Sequence, residues 1–242
     1  MVARLTSSKE LKDKLVFKGG YVALRIFDSP RYTIDLDATI RDGNINRISG
    51  LAKDAIELDL DDGVWFKFYK DLNLETQGEY GGLRLYFRAG IGDVPEKFTK
   101  ARSIHLDLGV VDSIVPDPIF VNTNSVLDRG TLTWQVYSIE LASCEKIHTL
   151  LSRMSDNSRS KDIFDLYHFL PKCDIPTLKR SLKETFKIRG DALPGNFISQ
   201  LDSIEKSQLK RGWNSAVASI GQSIDFDEAF SVICKYIKML DE

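Results

Sequence analysis

Tyr32-Thr33-Ile34-Asp35-Leu36-Asp37-Ala38-Thr39-Ile40 is the stretch on which the reading of this chain turns. Polar and apolar residues alternate along it, which is the period of a β-strand. Asp35 and Asp37 lie two apart, so a strand directs both carboxylates to one face together with Thr33. Ile34, Leu36 and Ala38 then face a core. Two like charges on one strand face repel and cost stability unless a cation sits between them. Mg²⁺ suits that place, because it takes hard oxygen ligands and is held by one or two carboxylates plus substrate phosphates. The plain alternative is a solvent-facing aspartate pair on an edge strand, where charge discourages aggregation. For D-x-D alone that alternative is preferred, so the neighbouring sequence has to decide.

Upstream, the apolar run Leu15-Val16-Phe17-Lys18 ends at Gly19-Gly20, and Tyr21 to Phe27 favours a helix. Glycine allows backbone N–H groups to approach a phosphate, and a helix N-terminus supplies positive potential there. A Gly-Gly pair by itself is more often an ordinary turn. Downstream, Ile104 to Val110 (IHLDLGV) predicts another strand with His105, Asp107 and Gly109 on one face. If that strand pairs beside the first, Asp107 becomes a third carboxylate, the usual construction of a two-metal phosphoryl-transfer site. A single histidine beside a carboxylate, as His105 is, more often hydrogen-bonds than binds metal.

The remaining sequence divides near residue 135. Before it, Ser7 or Ser8 caps a short helix over 7–14, and Ile48, Leu51, Ala52, Ala55 and Ile56 predict a helix over 44–60. Val64 to Leu74 and Leu83 to Ala89 alternate as strands, joined through an acidic-polar stretch and Gly81-Gly82, and Pro116 to Asn124 reads as a loop or edge crossing. From Val136 onward the pattern is helical: an apolar stripe from Ile139 to Leu151, a polar loop over Ser152–Ser160, then helices over Lys161–Leu170, Ile175–Arg189, Phe197–Leu209 and Phe226–Leu240. The expected fold class is α+β: residues 1–135 with a mixed β-sheet and flanking helices, and residues 136–242 as a C-terminal α-helical bundle.

Bulk composition adds exclusions rather than a partner. At 242 residues, 43% hydrophobic and 28% charged, with a formal charge of -2, the chain is an ordinary globular protein. Cys144, Cys173 and Cys234 are odd in number and widely spaced, which argues against a disulfide framework or a structural zinc site. No apolar run reaches the roughly 20 residues that span a bilayer, and the first residues lack a signal-peptide core. A cytoplasmic protein with no membrane partner is expected. Trp65, Trp134 and Trp213 are too dispersed for a stacking platform and are assigned to the core, while His148 and His168 are read as helix-packing or surface residues.

Taken in order, the run from Leu15 through Gly19-Gly20 to Leu24, then Arg31-Tyr32-Thr33-Ile34-Asp35-Leu36-Asp37, resembles the AbiEii/AbiGii toxin family of nucleotidyltransferases. That family belongs to the DNA polymerase β-like superfamily. Ile104 to Gly109, followed by Asp112 and Pro116, resembles its third-carboxylate strand. Glu145-Lys146-Ile147-His148 with Ser160-Lys161-Asp162-Ile163-Phe164-Asp165-Leu166-Tyr167 forms a further block. The resemblance implies that Gly19, Gly20 and Thr33 contact the nucleotide and that Asp35, Asp37 and Asp107 bind Mg²⁺ or Mn²⁺. It implies Asp107 as general base, Lys146 at the triphosphate of an NTP, and Asp165 orienting Lys146 or the nucleotide. The chain departs from the family at Tyr21, where a small hydroxyl residue is usual, at Thr33, often serine, in a longer Gly-Gly to Asp35 spacing, and in a Ser- and Asn-rich insertion before Asp162. On residue chemistry alone, Lys146 could equally be a solvated lysine, and Asp162 with Asp165 could complement a helix dipole.

The implied reaction moves an NMP from an NTP to an acceptor hydroxyl, within a toxin–antitoxin system that supplies an antitoxin partner. Some relatives modify the 3′ end of tRNA. Lys172, Lys179, Arg180, Lys183, Lys187 and Arg189, with Lys206, Lys210 and Arg211, could track RNA phosphates, or form a solvated face balanced by Glu184, Asp191 and Glu205. The rival classes are a protein-modifying nucleotidyltransferase (an NMPylator), a non-catalytic NTP-binding toxin and a metal-dependent nuclease.

Overall fold

Alternating apolar residues build the sheet, and the computed structural model describes residues 1–74, 81–111, 114–125, 130–152, 160–218 and 224–242. Helices α1 (Val2–Ser7) and α2 (Lys9–Lys14) lead into β1 (Leu15–Lys18), α3 (Gly19–Ile26), β2 (Leu36–Arg41) and α4 (Ile45–Glu57). Strands β3 (Val64–Leu74), β4 (Gly82–Ile91), β5 (Arg102–Val111), β6 (Ile119–Asn124) and β7 (Thr131–Val136) follow. The rest is helical: α5 (Ile139–Ser152), α6 (Ser160–Phe169), a 3₁₀ turn (Leu170–Lys172), α7 (Ile175–Ile188), α8 (Phe197–Asp202), α9 (Lys206–Arg211), α10 (Trp213–Val217) and α11 (Phe226–Asp241).

Two compact units emerge. One comprises Met1–Tyr21, Ile34–Ile114 and Pro118–Val136; the other comprises Val22–Thr33, Val115–Asp117 and Tyr137–Glu242.

In the first unit a seven-stranded sheet runs in the order β3-β4-β5-β2-β1-β7-β6. It is mixed: β2 pairs parallel with β5, and β1 parallel with β7, while the other pairs are antiparallel. Leu36, Ala38 and Ile40 of β2 and Leu106 and Leu108 of β5 are buried. Helix α4 lies against β3, β4 and β5 and buries Ile48, Ala52, Ala55 and Ile56. Its N-terminus is capped by Asn44, whose side chain accepts from the backbone N–H groups of Asn46 and Arg47.

Helix α1 is anchored through an ion pair. Arg4, only 2% exposed, donates to both oxygens of Asp62 at 2.7 and 2.8 Å and to the carbonyls of Leu58 and Val64 at 2.8 and 2.6 Å. The Arg4 hydrogen bonds hold the Asp62 carboxyl down at about 2. A carboxylate depressed in the fold stabilises above its unfolded pKa and loses that contribution as pH falls through the folded value. Asp62→Ala is therefore expected to cost about 3 kcal/mol near neutrality, because it strands a buried guanidinium. In urea melts the gap between wild type and variant should close between about pH 4 and pH 2.

In the second unit the helices enclose a core that includes Cys144, Ile147, Phe164, Leu178, Leu182 and Phe230. Asp174, Asn196 and Asp225 cap α7, α8 and α11. All three cysteines are free thiols; Cys144 is fully buried, and burial pushes its pKa up.

Several sequence expectations change here. The strand predicted over Tyr32–Ile40 begins only at Leu36, and Ile34, expected to face the core, is 49% exposed, so the alternation ahead of Leu36 is not a paired strand. Pro116 to Asn124 contains edge strand β6, and the unpredicted β7 carries it. The single helix expected over Phe197–Leu209 breaks into α8 and α9, because Ser203 and Ile204 close α8 with hydrogen bonds to Ser199 and Leu201 and Glu205 starts α9. Trp134 and Trp213 are buried as expected. Trp65 is not fully buried: it packs over Gly90, where an added Cβ would lie 2.5 Å from the indole, and lines a cavity of about 400 Å³. Most of the loop expected over Ser152–Ser160 and the polar stretch before Gly81 lie outside the described residues.

Candidate active site

The register of the sheet assembles the first unit's candidate residues. Lys18 of β1 stands opposite Asp37 of β2, Asp37 opposite Asp107 of β5, and Asp107 opposite Arg84 of β4. Directly opposed residues share a face, so Lys18, Asp37, Asp107 and Arg84 form one row in which two neighbouring carboxylates are flanked by a cation at each end. Because β2 and β5 are parallel neighbours, the two aspartates come together from positions 70 apart in sequence.

Arg84 binds Asp107 in a two-pronged fork, with its Nε and Nη2 each 2.6 Å from a carboxylate oxygen. Hydrogen bonding to Asp107 raises the Arg84 pKa further, so the guanidinium stays charged. Asp35 precedes β2 in the chain and meets His105, whose Nε2 lies 3.2 Å from its Oδ1. His105 shares a strand face with Asp107, so this contact draws Asp35 to the face that carries Asp37.

Gly19 makes room for Asp37. Its φ is +71°, in the left-handed region, and a Cβ built there would sit on the Asp37 carboxylate, 2.8 Å from its Cγ. A side chain at this position would therefore displace the carboxylate as well as strain the backbone. Gly19→Ala is expected to cost about 1–3 kcal/mol in thermal unfolding and roughly 100-fold in turnover. A variant that unfolds earlier yet turns over normally would show that the Asp37 position does not matter.

Among the described residues, no three His, Cys, Asp or Glu side chains come together in a group that could hold a metal ion. Asp107 is engaged by Arg84, and Asp35 touches His105. Asp35 and Asp37 are hard-oxygen donors of the kind Mg²⁺ takes, and Gly19 leaves the space in which the Asp37 carboxylate sits.

The second unit holds the other candidates in a neutral buried cluster. Asp165, fully buried on α6, accepts from Arg31 Nε and Nη2 at 3.2 and 3.0 Å. The Lys146 Nζ on α5 lies 2.7 Å from Asp165 Oδ2 and 3.0 Å from Asp162 Oδ1. Burial alone would lower the Lys146 pKa, but Asp165 and Asp162 hold it well above the ordinary lysine value. Burial would raise the Asp165 carboxyl, but Lys146 and Arg31 keep it below the usual carboxylate range. Lys146 is thus not a solvated lysine: its side chain is 17% exposed and it is fixed by two carboxylates. Thr33 falls in this unit and Gly20 in the first; Asp112 lies outside the described residues.

Arg84 and Arg31 had no role in the sequence reading. Arg84 looked like a polar position on an alternating strand, and Arg31 sat inside the quoted motif without a partner. The only signal was alternation, which places Arg84 on a face but cannot say that the face holds Asp107. His148 packs on Phe186 and lies 2.7 Å from Asp191, in keeping with a packing residue.

Of the basic stripe in the second unit, four members are already engaged. Lys172 donates to the Phe27 carbonyl, while Lys187, Arg189 and Lys210 pair with Glu184, Glu145 and Asp227.

The fold is similar to that of two solved structures. A candidate nucleotidyltransferase from Helicobacter pylori superposes with a TM-score of 0.54 at 15% identity, covering 99% of this chain and 89% of that one. JHP933 from Helicobacter pylori gives 0.53 at 15% identity, with coverage of 99% and 87%. No curated protein matches the sequence. The family described as nucleotidyl transferase AbiEii toxin, type IV TA system, matches residues 2–232, and the chain belongs to it. It is accordingly a nucleotidyltransferase of a toxin–antitoxin system, and its family implies an NTP substrate and an antitoxin partner. Among the described residues no helix is long and apolar enough to cross a membrane.

Proposed function

We propose that this chain moves an NMP from an NTP to an acceptor hydroxyl in the cytoplasm, with Asp35 and Asp37 holding Mg²⁺ or Mn²⁺ and the 3′ end of tRNA as acceptor. The observation that carries the reading is the row Lys18–Asp37–Asp107–Arg84, with the Gly19 backbone opened for the Asp37 carboxylate. When bound, the ion supplies charge neutralisation at the α-phosphate and the leaving group.

The chain's own residues do the rest. Asp107, held in orientation by Arg84, accepts the proton of the acceptor hydroxyl. The acceptor oxygen forms its bond to the α-phosphorus as the bond to the β-phosphate oxygen breaks, and pyrophosphate leaves. The role the family gives Lys146 is to meet the triphosphate as a point charge, and Asp165 with Arg31 fixes where its ammonium sits. Gly19, Gly20 and Thr33 contact the nucleotide through the role the family gives those positions. The helices from Ile139 to Asp241 form the bundle that carries Lys146 and Asp165.

Incubation with each of the four labelled NTPs and Mg²⁺, with total tRNA in one arm and cell lysate in the other, tests the reading. The expected result is label in RNA with release of pyrophosphate. Label confined to protein would replace the acceptor with a protein hydroxyl. Shortened RNA without pyrophosphate would replace the transferase with a nuclease.

A further inference from the structure

The sheet face that bears the carboxylates continues into a cluster of aromatic rings and cations. Tyr69 lies in the irregularity of β3 between Phe68 and Lys70, and Lys70, Tyr86 and His105 are paired across β3, β4 and β5. The Tyr69 and Tyr86 ring centroids are 5.8 Å apart, and Tyr86 and His105 are 5.7 Å apart. Cations interleave with the rings: Lys70 Nζ is 4.6 Å from the centre of Tyr86, Arg88 is 4.5 Å from that of Tyr69, and Arg84 is 5.9 Å from that of Tyr86.

These side chains are not core. Lys70 is exposed, and Tyr69, Tyr86, Arg84, Arg88 and His105 are half-buried, while the alternate residues Leu85, Phe87 and Leu106 are buried on the opposite face. Among the described residues neither Lys70 nor Arg88 has a carboxylate partner; Arg88 donates to the Ala101 carbonyl. A pair of tyrosines on a half-exposed sheet face would normally be covered or diluted, and here Lys70 and Arg88, which have no carboxylate partner among the described residues, flank it.

The cluster is continuous with the candidate active site at two contacts. His105 meets Asp35, and Arg84 grips Asp107. From β3 across β4 and β5 to β2 is about 15 Å at the usual strand spacing.

We infer that the outer face of β3, β4 and β5 is the docking platform for the acceptor, an unpaired RNA end laid across Tyr69 and Tyr86 with its phosphates on Lys70 and Arg88 and its terminal hydroxyl directed toward Asp107. Base–aromatic stacking is tolerant of sequence, and a sheet surface that stacks two or three bases is a recurring way to hold single-stranded RNA. The platform gives an RNA acceptor a better-formed surface than the second unit's basic stripe, where four of the nine cations are engaged internally. This assignment rests on the proposed transfer reaction for its meaning, but its test does not need transfer.

The test is the fluorescence anisotropy of the full chain with a labelled single-stranded RNA of about 12 nucleotides, in EDTA and without NTP. Wild type should bind, and a blunt RNA duplex of the same length should bind more weakly, since paired bases cannot stack on tyrosine. Lys70→Glu/Arg88→Glu should weaken binding at least about tenfold and reduce the salt slope by about 1.4, two single-strand phosphate contacts. Tyr86→Leu should weaken binding roughly tenfold while Tyr86→Phe, which keeps the ring, stays near wild type. Thermal melts identify any variant that has lost its fold, and the remaining pair then decides. No binding by wild type, equal affinity for the duplex, or unchanged binding by folded variants would each overturn the platform. A chain that fails to transfer label from any NTP yet passes these tests would sink the reaction and leave the platform standing.

Discussion

Asp37→Asn is expected to reduce nucleotidyl transfer by about 1,000-fold or more while leaving stability within about 1 kcal/mol of wild type. The substitution is nearly isosteric, so the Gly19 backbone keeps a neighbour of the same size. It removes the oxygen charge that would bind metal, and metal ions supply several kcal/mol of transition-state stabilisation, roughly three powers of ten. It also removes a like charge opposite Asp107 and a counter-charge opposite Lys18, two changes of a few tenths of a kcal/mol and of opposite sign. Activity should therefore collapse while stability barely moves. The measurement is label transfer per enzyme at saturating Mg²⁺ beside a thermal melt of the metal-free protein. Transfer within tenfold of wild type would remove Asp37 from the reaction, and full growth arrest by an inactive Asp37→Asn chain would point to toxicity through NTP sequestration.

Asp165→Ala should be the most destabilising of the substitutions considered, because it leaves two cations and one carboxylate in the buried cluster of the second unit. Lys146 and Arg31 both lose their closest oxygen partners. Breaking a buried pair by deleting one partner costs about 3–5 kcal/mol, or roughly 10 °C in the unfolding midpoint of a chain this size. Lys146→Met/Asp165→Leu should recover part of that loss, since it removes one of the two stranded cations while Arg31 still lacks Asp165. Neither variant should transfer label, so the double variant separates the structural duty of the pair from its chemical one. A double variant as unstable as Asp165→Ala would mean that the charges themselves organise the helices.

The pH dependence of this cluster follows from the two directions. Asp165 is depressed, so its contribution is complete above the ordinary carboxylate range and is lost as pH falls through its folded value. Lys146 is raised, so its contribution is complete below the ordinary lysine value and is lost only as pH rises beyond it. The cluster should be flat in stability across neutral pH and weaken at both extremes.

Part of the arrangement was legible because it depends on local rules. The spacing of Asp35 and Asp37 suggested a shared face, although Asp35 is delivered by a loop and held there by His105 rather than by strand pairing. Gly19 was legible as a glycine with a purpose, but the purpose seen here is space for Asp37 as well as any phosphate contact. Lys146 and Asp165 were legible only through their resemblance to a family block, since neither residue type nor spacing distinguishes a buried ion pair from a solvated helix face. Strand β7 was missed because Thr131 to Val136 merges into the helical pattern that follows, and its partners β1 and β6 lie elsewhere in the chain.

The sequence by itself determined which positions alternate, where glycine relieves the backbone, and which family's order of motifs the chain follows. Those properties arise from side-chain period and backbone freedom, which act over a few residues. Only the tertiary structure decided that Asp107 stands beside Asp37, that Arg84 grips it, and that Arg31 completes the charge balance around Asp165. The same holds for the tyrosines of β3 and β4, which become neighbours through strand pairing. Cross-strand partners are chosen by the pairing of segments tens of residues apart. A one-residue change of register would have sent every one of these side chains to the other face of the sheet.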